Sequence, residues 1–345
     1  MNKLNRFFEA GLQLEKWHGA RNDFIFVRVP DFVSALKLPC TADTIALCSE
    51  AICERSEGLG ADGLVLWDID GNGRASAAIW NSDGTRAQTC GNALRCLGSL
   101  LFANLFWSGS EALEIRALGI SNANITASEK VFARLISVAN EEKQTPDTQS
   151  PAATLYEAQV DMGSVLEARV FAPEEIFSGV PLLQSQQQLL RSSLLNAVFV
   201  QLANPHLVLI LKQMSFSSFS NGIITEIGSA AQSSAVRAGL KIPECNIGFV
   251  ELPKQWDARI NASGVGAQQP LNAVVYERGA GLTQCCGSGG CAMKVALDHI
   301  EIEGRHPSLP LPLRMPGGTI RISGNQERLL LTGPAVCVGA IRVLS

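Results

Sequence analysis

Short runs of alternating or continuous apolar residues recur along this 345-residue chain. Each is bounded by Gly, Asn, Asp or Pro, as strands separated by turns would be. Leu64–Ile69 and Arg74–Trp80 are predicted as strands joined across Asp70-Gly71-Asn72-Gly73, a strong hairpin signal. Glu111–Arg116, Lys130–Val138, Glu157–Gly163, Ala197–Leu202, Leu207–Leu211, Cys245–Val250 and Asn272–Glu277 read the same way. Ile320–Ile322, Leu329–Leu331 and Val336–Val343 close the chain as short strands. Trp17–Val27 reads as a Gly-containing loop entering a strand, with Asn22-Asp23 as a turn, and residues 1–16 as an amphipathic extension without evident chemistry.

Helical periodicity is confined to a few segments. Thr41–Arg55 places Ile45, Leu47, Cys48 and Ile52 at helical spacing behind a capping Thr41. Glu226–Gly239 reads as one helix ending at its glycine. Asn92–Trp107, and a stretch from Cys286 to about Ile300, each follow a Cys-Gly pair; the first is apolar nearly all round and therefore predicted to be buried. Asn140–Pro151 is polar and reads as a linker or insertion, Gln184–Leu190 as solvated and Ser215–Asn221 as a loop. The pattern predicts an α+β fold of two pseudo-symmetric domains, each a curved, mostly antiparallel sheet around a central helix. Residues 1–155 and 156–335 form the expected domains, with a final strand at about 336–345 returning to the first and the active site in the cleft between them.

Composition narrows the function. A net charge of −4 without a Lys/Arg-rich run argues against nucleic acid and anionic membrane surfaces as partners. The longest near-apolar run, Leu97–Trp107, is too short to span a bilayer and contains Asn104. No leader pattern opens the chain, so the expected compartment is the cytoplasm. The ten cysteines are not spaced as a disulfide framework, and none forms the paired C-x-x-C of a zinc site, so no metal is expected. Gly58–Gly63 lacks the Lys and the following helix of a phosphate-binding loop.

The candidate chemistry lies in two stretches, Asn81–Cys96 and Glu277–Met293. Superposing Cys90 on Cys286 also superposes Gly91 on Gly287 and Gln88 on Gln284. Each thiol is expected at a helix N-terminus, which lowers a thiol pKa and makes thiolate accessible near neutral pH. A thiol and a thiolate acting on one carbon remove a proton from one face and return it to the other. First-turn N–H groups would hold the adjacent carboxylate as charge develops. This points to racemisation or epimerisation at an amino-acid α-carbon without a cofactor. The other cysteines, Cys96, Cys285 and Cys291 among them, read as packing.

Asn22-Asp23-Phe24, Gly60-Ala61-Asp62-Gly63, Asn81-Ser82-Asp83-Gly84, Cys90-Gly91-Asn92, Asn204-Pro205-His206, Asn246-Ile247-Gly248-Phe249, Glu277-Arg278-Gly279 and Cys286-Gly287-Ser288-Gly289 occur in an order that resembles the diaminopimelate epimerase family. The resemblance implies a pyridoxal-phosphate-independent enzyme that interconverts LL- and meso-2,6-diaminopimelate, on the route to lysine and the peptidoglycan precursor. It implies Cys90 and Cys286 as the acid/base pair, assisted by His206 and Glu277. Gly91, Asn92, Gly287 and Ser288 would hold the reacting carboxylate through their N–H groups. Asn22, Asn81, Asn204, Asn246 and Arg278 would read the distal end of a small amino-acid substrate. A homodimer is compatible with this reading. Arg21, Ala93 and Ala203 stand where the family has Gly or often has it, and Cys285 where Ala is usual. The alternatives are a racemase of another amino acid on the same fold, of the proline racemase kind, and a Cys–His hydrolase using one thiol with His206 as base.

Overall fold

The structure, a computed structural model, describes residues 3–121, 124–141, 155–177, 184–212, 221–252, 269–300 and 309–344. The chain divides into two compact units, one of residues 1–161 with 333–345 and one of residues 162–332. Most of the predicted Asn140–Pro151 linker and Ser215–Asn221 loop lies outside the described residues.

The first unit carries strands β1 (Gln13–Gly19), β2 (Asn22–Arg28), β3 (Gly63–Ile69), β4 (Ala75–Asn81), β5 (Leu113–Ser121), β6 (Asn124–Glu141) and β7 (Leu155–Gly163). β1 and β2 are antiparallel, β2 and β3 parallel, β3 and β4 antiparallel, β4 and β5 parallel, and β5 and β6 antiparallel. The second unit carries β8 (Glu167–Phe171), β9 (Leu194–Gln201), β10 (Pro205–Leu211), β11 (Asn246–Glu251), β12 (Leu271–Glu277), β13 (Gly281–Thr283), β14 (Leu311–Met315) and β15 (Gly318–Asn325). From β9 through β12 to β14 and β15 the pairings again run antiparallel, parallel, antiparallel, parallel, antiparallel. The two units therefore repeat one topology. Strand β16 (Arg328–Arg342) pairs with β15 at its start and with β1 towards its end.

In each unit one helix occupies the same place in this order, in the parallel crossover after the fourth strand. The first central helix, Gly91–Ala103, is buried from Gly91 to Leu101 and packs on β1, β2 and β6. The second, Gly287–Asp298, packs on β9, β10, β11 and β15. A helix lined on every side by strands needs apolar residues around its whole circumference, which is what the sequence supplies. The topology also fixes where the loops meet. Because the second and third strands of each unit are parallel, they start at one edge; the fourth runs back to end there, and the helix begins there.

Several predicted elements change. Residues 13–16 belong to β1, so the expected extension is part of a hairpin, and Asn22-Asp23 opens β2 rather than forming a turn. The turn itself is Ala20-Arg21, both left-handed at φ 51° and 64°. This is the two-residue geometry whose twist suits an antiparallel pair. Arg21 is thus the one of the three departures from glycine that sits in the left-handed region, whereas Ala93 and Ala203 have no such requirement. The first central helix stops at Ala103 rather than Trp107, because Leu105 turns left-handed and the Leu105 and Phe106 N–H groups cap the Phe102 and Leu101 carbonyls. The predicted Glu226–Gly239 helix is two, Asn221–Ala231 and Ser234–Leu240, separated where Ser233 caps the second through the Val236 N–H. Gln184–Ser193 is helical. Val29–Ala35 and β8 were not signalled by alternation.

Arg21→Gly removes a left-handed penalty of roughly 1–2 kcal/mol and adds unfolded-state entropy, for a net stabilisation of about 0.5–1 kcal/mol. A rise in the urea midpoint of the variant at unchanged slope checks this.

Candidate active site

Cys90 and Cys286 are the N-caps of the two central helices, both with extended backbone. A helix leaves its first N–H groups without acceptors inside the helix, so each thiol stands beside a small array of donors. The two caps differ. Cys90 is half-buried and its side chain does not cap the first turn. The Cys286 sulfur is buried and accepts from the Gly289 N–H at 3.4 Å. Gly289 permits this approach, since a Cβ there would lie 2.6 Å from Val275 Cγ2 and 3.4 Å from the Cys286 sulfur.

The expected lowering of the thiol pKa does not hold for Cys286. Burial first, and the Glu277 carboxylate second, push it well above its ordinary value. Hydrogen bonds from Ser288 and Gly289 offset only part of this. The physical reason is that the helix end offers partial charges, whereas removal from water penalises a full one.

Around Cys286 the second unit gathers residues from three strands. His206 is the second residue of β10, Asn246 opens β11 beside it in register, and Glu277 closes β12. The Ser288 hydroxyl lies 3.5 Å from the Cys286 sulfur and 3.1 Å from His206 Nε2. His206 is fully buried; burial, with the Arg278 charge adding to it, lowers its pKa to about 3, so the imidazole is neutral. Glu277 Oε1 accepts from Thr283 Oγ1 at 2.6 Å. Asn246 Oδ1 accepts from the Arg278 N–H at 3.0 Å, so this amide positions the Arg278 backbone. Asn204 is half-buried in the turn before β10, and the exposed Arg278 side chain lies 3.8 Å from Glu244.

In the first unit the corresponding residues lie on the central helix and at strand ends. Asn92 is buried and its Oδ1 accepts from Arg95 Nη2 at 2.8 Å. Arg95 is fully buried and reaches the Pro334 carbonyl with Nε at 3.4 Å. Sequence reasoning missed Arg95 as a side chain with a function, although a guanidinium inside an otherwise apolar helix is a signal in itself. Asn22 opens β2, with its Oδ1 buried and without a hydrogen-bond partner among the described residues. Asn81 closes β4, is exposed, and donates from Nδ2 to Thr85 Oγ1 at 2.9 Å.

A charged lattice was also missed. The Asp23 and Asp62 main-chain N–H groups each donate to the other's carboxylate, at 3.0 and 3.1 Å, and Arg55 Nη2 donates to both at 2.9 and 2.8 Å. Lys16 pairs with Asp23 at 3.0 Å. Burial pushes the Asp23 carboxyl up, but the hydrogen bonds from Arg55 and Lys16 outweigh it and hold the group below its usual range; burial raises Asp62. The lattice fastens the start of β2 to the start of β3, and the Ser82 N–H donates to the Asp62 carbonyl at 3.1 Å. Asn22 and Asn81 are thereby held at one edge of the unit.

His206 makes stability depend on pH. Its folded pKa lies below the unfolded value of 6.5, so the unfolded chain binds the proton first. Stability is full above pH 6.5 and falls towards the folded pKa at up to about 1.4 kcal/mol per pH unit. Between pH 6.5 and 5 the parent chain should lose about 2 kcal/mol more than a His206→Gln variant. Urea unfolding at the two pH values measures the difference.

The diaminopimelate epimerase family model matches residues 15–119. The chain is 27% identical to the diaminopimelate epimerase of Xanthomonas campestris pv. campestris over 95% of this chain and 94% of that one. It is 26% identical to that of Parabacteroides distasonis over 96% and 98%. Among solved structures, a phenazine biosynthesis protein of the PhzF family from Bacillus anthracis superposes with a TM-score of 0.61 at 13% identity, covering 98% and 100% of the two chains. A hydroxyproline epimerase from Agrobacterium vitis superposes with a TM-score of 0.52 at 10% identity, covering 97% and 92%. These structural likenesses establish the fold.

Proposed function

We propose that this chain, an isomerase related to the diaminopimelate epimerases, interconverts LL- and meso-2,6-diaminopimelate by proton transfer at the α-carbon without a cofactor. The observation that carries the reading is the equivalent placement of Cys90 and Cys286, each the N-cap of the one central helix of its unit. Two-base exchange needs two groups for opposite faces of one carbon, one carrying a proton and one able to take it.

Burial and Glu277 favour the protonated form of Cys286, which makes it the acid in one direction, with Cys90 as the base. In the reverse direction the roles exchange. First-turn N–H groups at Gly91, Asn92, Gly287 and Ser288 suit a carboxylate whose charge grows as the α-proton leaves. The Asn22 Oδ1 without a partner among the described residues is an acceptor of the kind an ammonium satisfies. Asn81, Asn204, Asn246 and Arg278 complete the set proposed for the distal amino-acid end, with Arg278 suited to a carboxylate. The setting is lysine and peptidoglycan-precursor synthesis in the cytoplasm.

The Cys–His hydrolase reading is disfavoured. It requires His206 as a general base in contact with the nucleophile, whereas His206 has a pKa near 3 and meets Ser288.

Incubation with LL-diaminopimelate in D₂O is expected to give α-proton loss and meso product. Cys90→Ala and Cys286→Ala should each lower kcat by roughly 10²–10⁴-fold, with Cys285→Ala close to the parent. Exchange with proline but not diaminopimelate would move the substrate and leave the chemistry standing. Loss of turnover only in Cys285→Ala would refute the thiol assignment.

A further inference from the structure

We propose that the Ser288 hydroxyl is a positioning residue that links His206 to Cys286 and presents its O–H to the sulfur, holding the anion that Cys286 becomes on giving up a proton. This rests on the reading of Cys286 as a proton-transfer group and goes beyond the part assigned to Ser288, which was its backbone N–H alone.

Ser288 Oγ lies 3.1 Å from His206 Nε2 and 3.5 Å from Cys286 Sγ, so one hydroxyl touches both. A hydroxyl has one proton to give, and the question is which neighbour receives it. The imidazole decides. It is buried and neutral, so one ring nitrogen carries hydrogen and the other a lone pair. Nδ1 is buried with no partner among the described residues. Leaving an N–H there would orphan a donor, which folded proteins avoid more strictly than an unused acceptor site. The hydrogen therefore sits on Nε2 and is donated to Ser288 Oγ. With its oxygen accepting from His206, Ser288 directs its own O–H at the sulfur.

The chain His206 Nε2–H, Ser288 O–H, Cys286 Sγ thus runs in one direction. No proton moves along it and no covalent bond changes. It supplies a second donor beside the Gly289 N–H, and hydrogen bonds to an ionised acceptor are about twice as strong as neutral ones. Among the described residues, the charged and titratable groups facing this set are Glu277, Cys285 and Arg278. The Glu277 carboxylate, on β12, opposes the anion, and the Cys285 thiol adds weakly in the same sense. Burial, with the Arg278 charge adding to it, keeps His206 neutral, so the donor brings no buried cation. The hydroxyl offsets part of the penalty that burial and Glu277 impose, which lets one buried thiol serve in both directions of an exchange.

The test uses the full chain and reads Cys286 itself. Iodoacetamide alkylation of Cys286, followed against pH by peptide mass, gives its apparent pKa. Ser288→Ala should raise it by about one pH unit, equal to a tenfold loss of thiolate at fixed pH, and Ser288→Thr should restore it. Nitrogen-15 NMR of the His206 ring should show Nε2 protonated and Nδ1 bare. A Ser288→Ala profile that overlays the parent, or a ring protonated on Nδ1, overturns the proposal. The alkylation and NMR readouts need no substrate. A shifted profile without diaminopimelate exchange leaves the link intact and refutes the substrate, and exchange with an unshifted profile does the reverse.

Discussion

A helix buried on all sides still has to satisfy the N–H groups of its first turn, and that constraint shapes both units of this protein. The strands around Gly91–Ala103 and Gly287–Asp298 remove the helix flanks from water, which leaves the N-terminal end as the place where polar chemistry can be done. Cysteine as the N-cap puts a titratable sulfur beside those donors. The same edge receives the starts of the second and third strands and the end of the fourth, because two parallel pairings enclose one antiparallel pairing. Asn22 and Asn81 in one unit, and His206, Asn246 and Glu277 in the other, stand at that edge by this topology.

Burial acts on the two halves unequally. Around Cys286 it produces a protonated thiol and a neutral imidazole, an arrangement suited to holding a proton until one is required. Around Cys90 the burial falls instead on Arg95, whose guanidinium is spent on Asn92 and the Pro334 carbonyl. The asymmetry comes from side chains, since the backbone pairing pattern is repeated.

The similarity to diaminopimelate epimerases extends over about 95% of the chain. At 26–27% identity most positions differ from those relatives, and in this chain the two Cys-Gly steps begin the central helices. Of the positions where glycine was expected, Arg21 alone keeps a glycine-like backbone, and the Ala20-Arg21 turn tolerates it because β1 and β2 pair on either side. The helix start at Ala93 needs no such freedom.

The sequence by itself determined most of the strands, the two buried helices and the two thiols that begin them. Apolar periodicity and a repeated Cys-Gly step are local properties, written within a few residues of where they act. What it could not determine depends on residues far apart in the chain. The two-residue turn hidden in Ala20-Arg21 has no Gly or Asn to announce it, and the left-handed Leu105 ends a helix whose apolar pattern continues to Trp107. The Asp23–Asp62–Arg55 lattice and the His206–Ser288–Cys286 contacts join segments brought together only when strands pair. The pKa of Cys286 was misjudged for the same reason: a helix end is visible in sequence, but the loss of water around the sulfur is decided by what the tertiary structure packs against it.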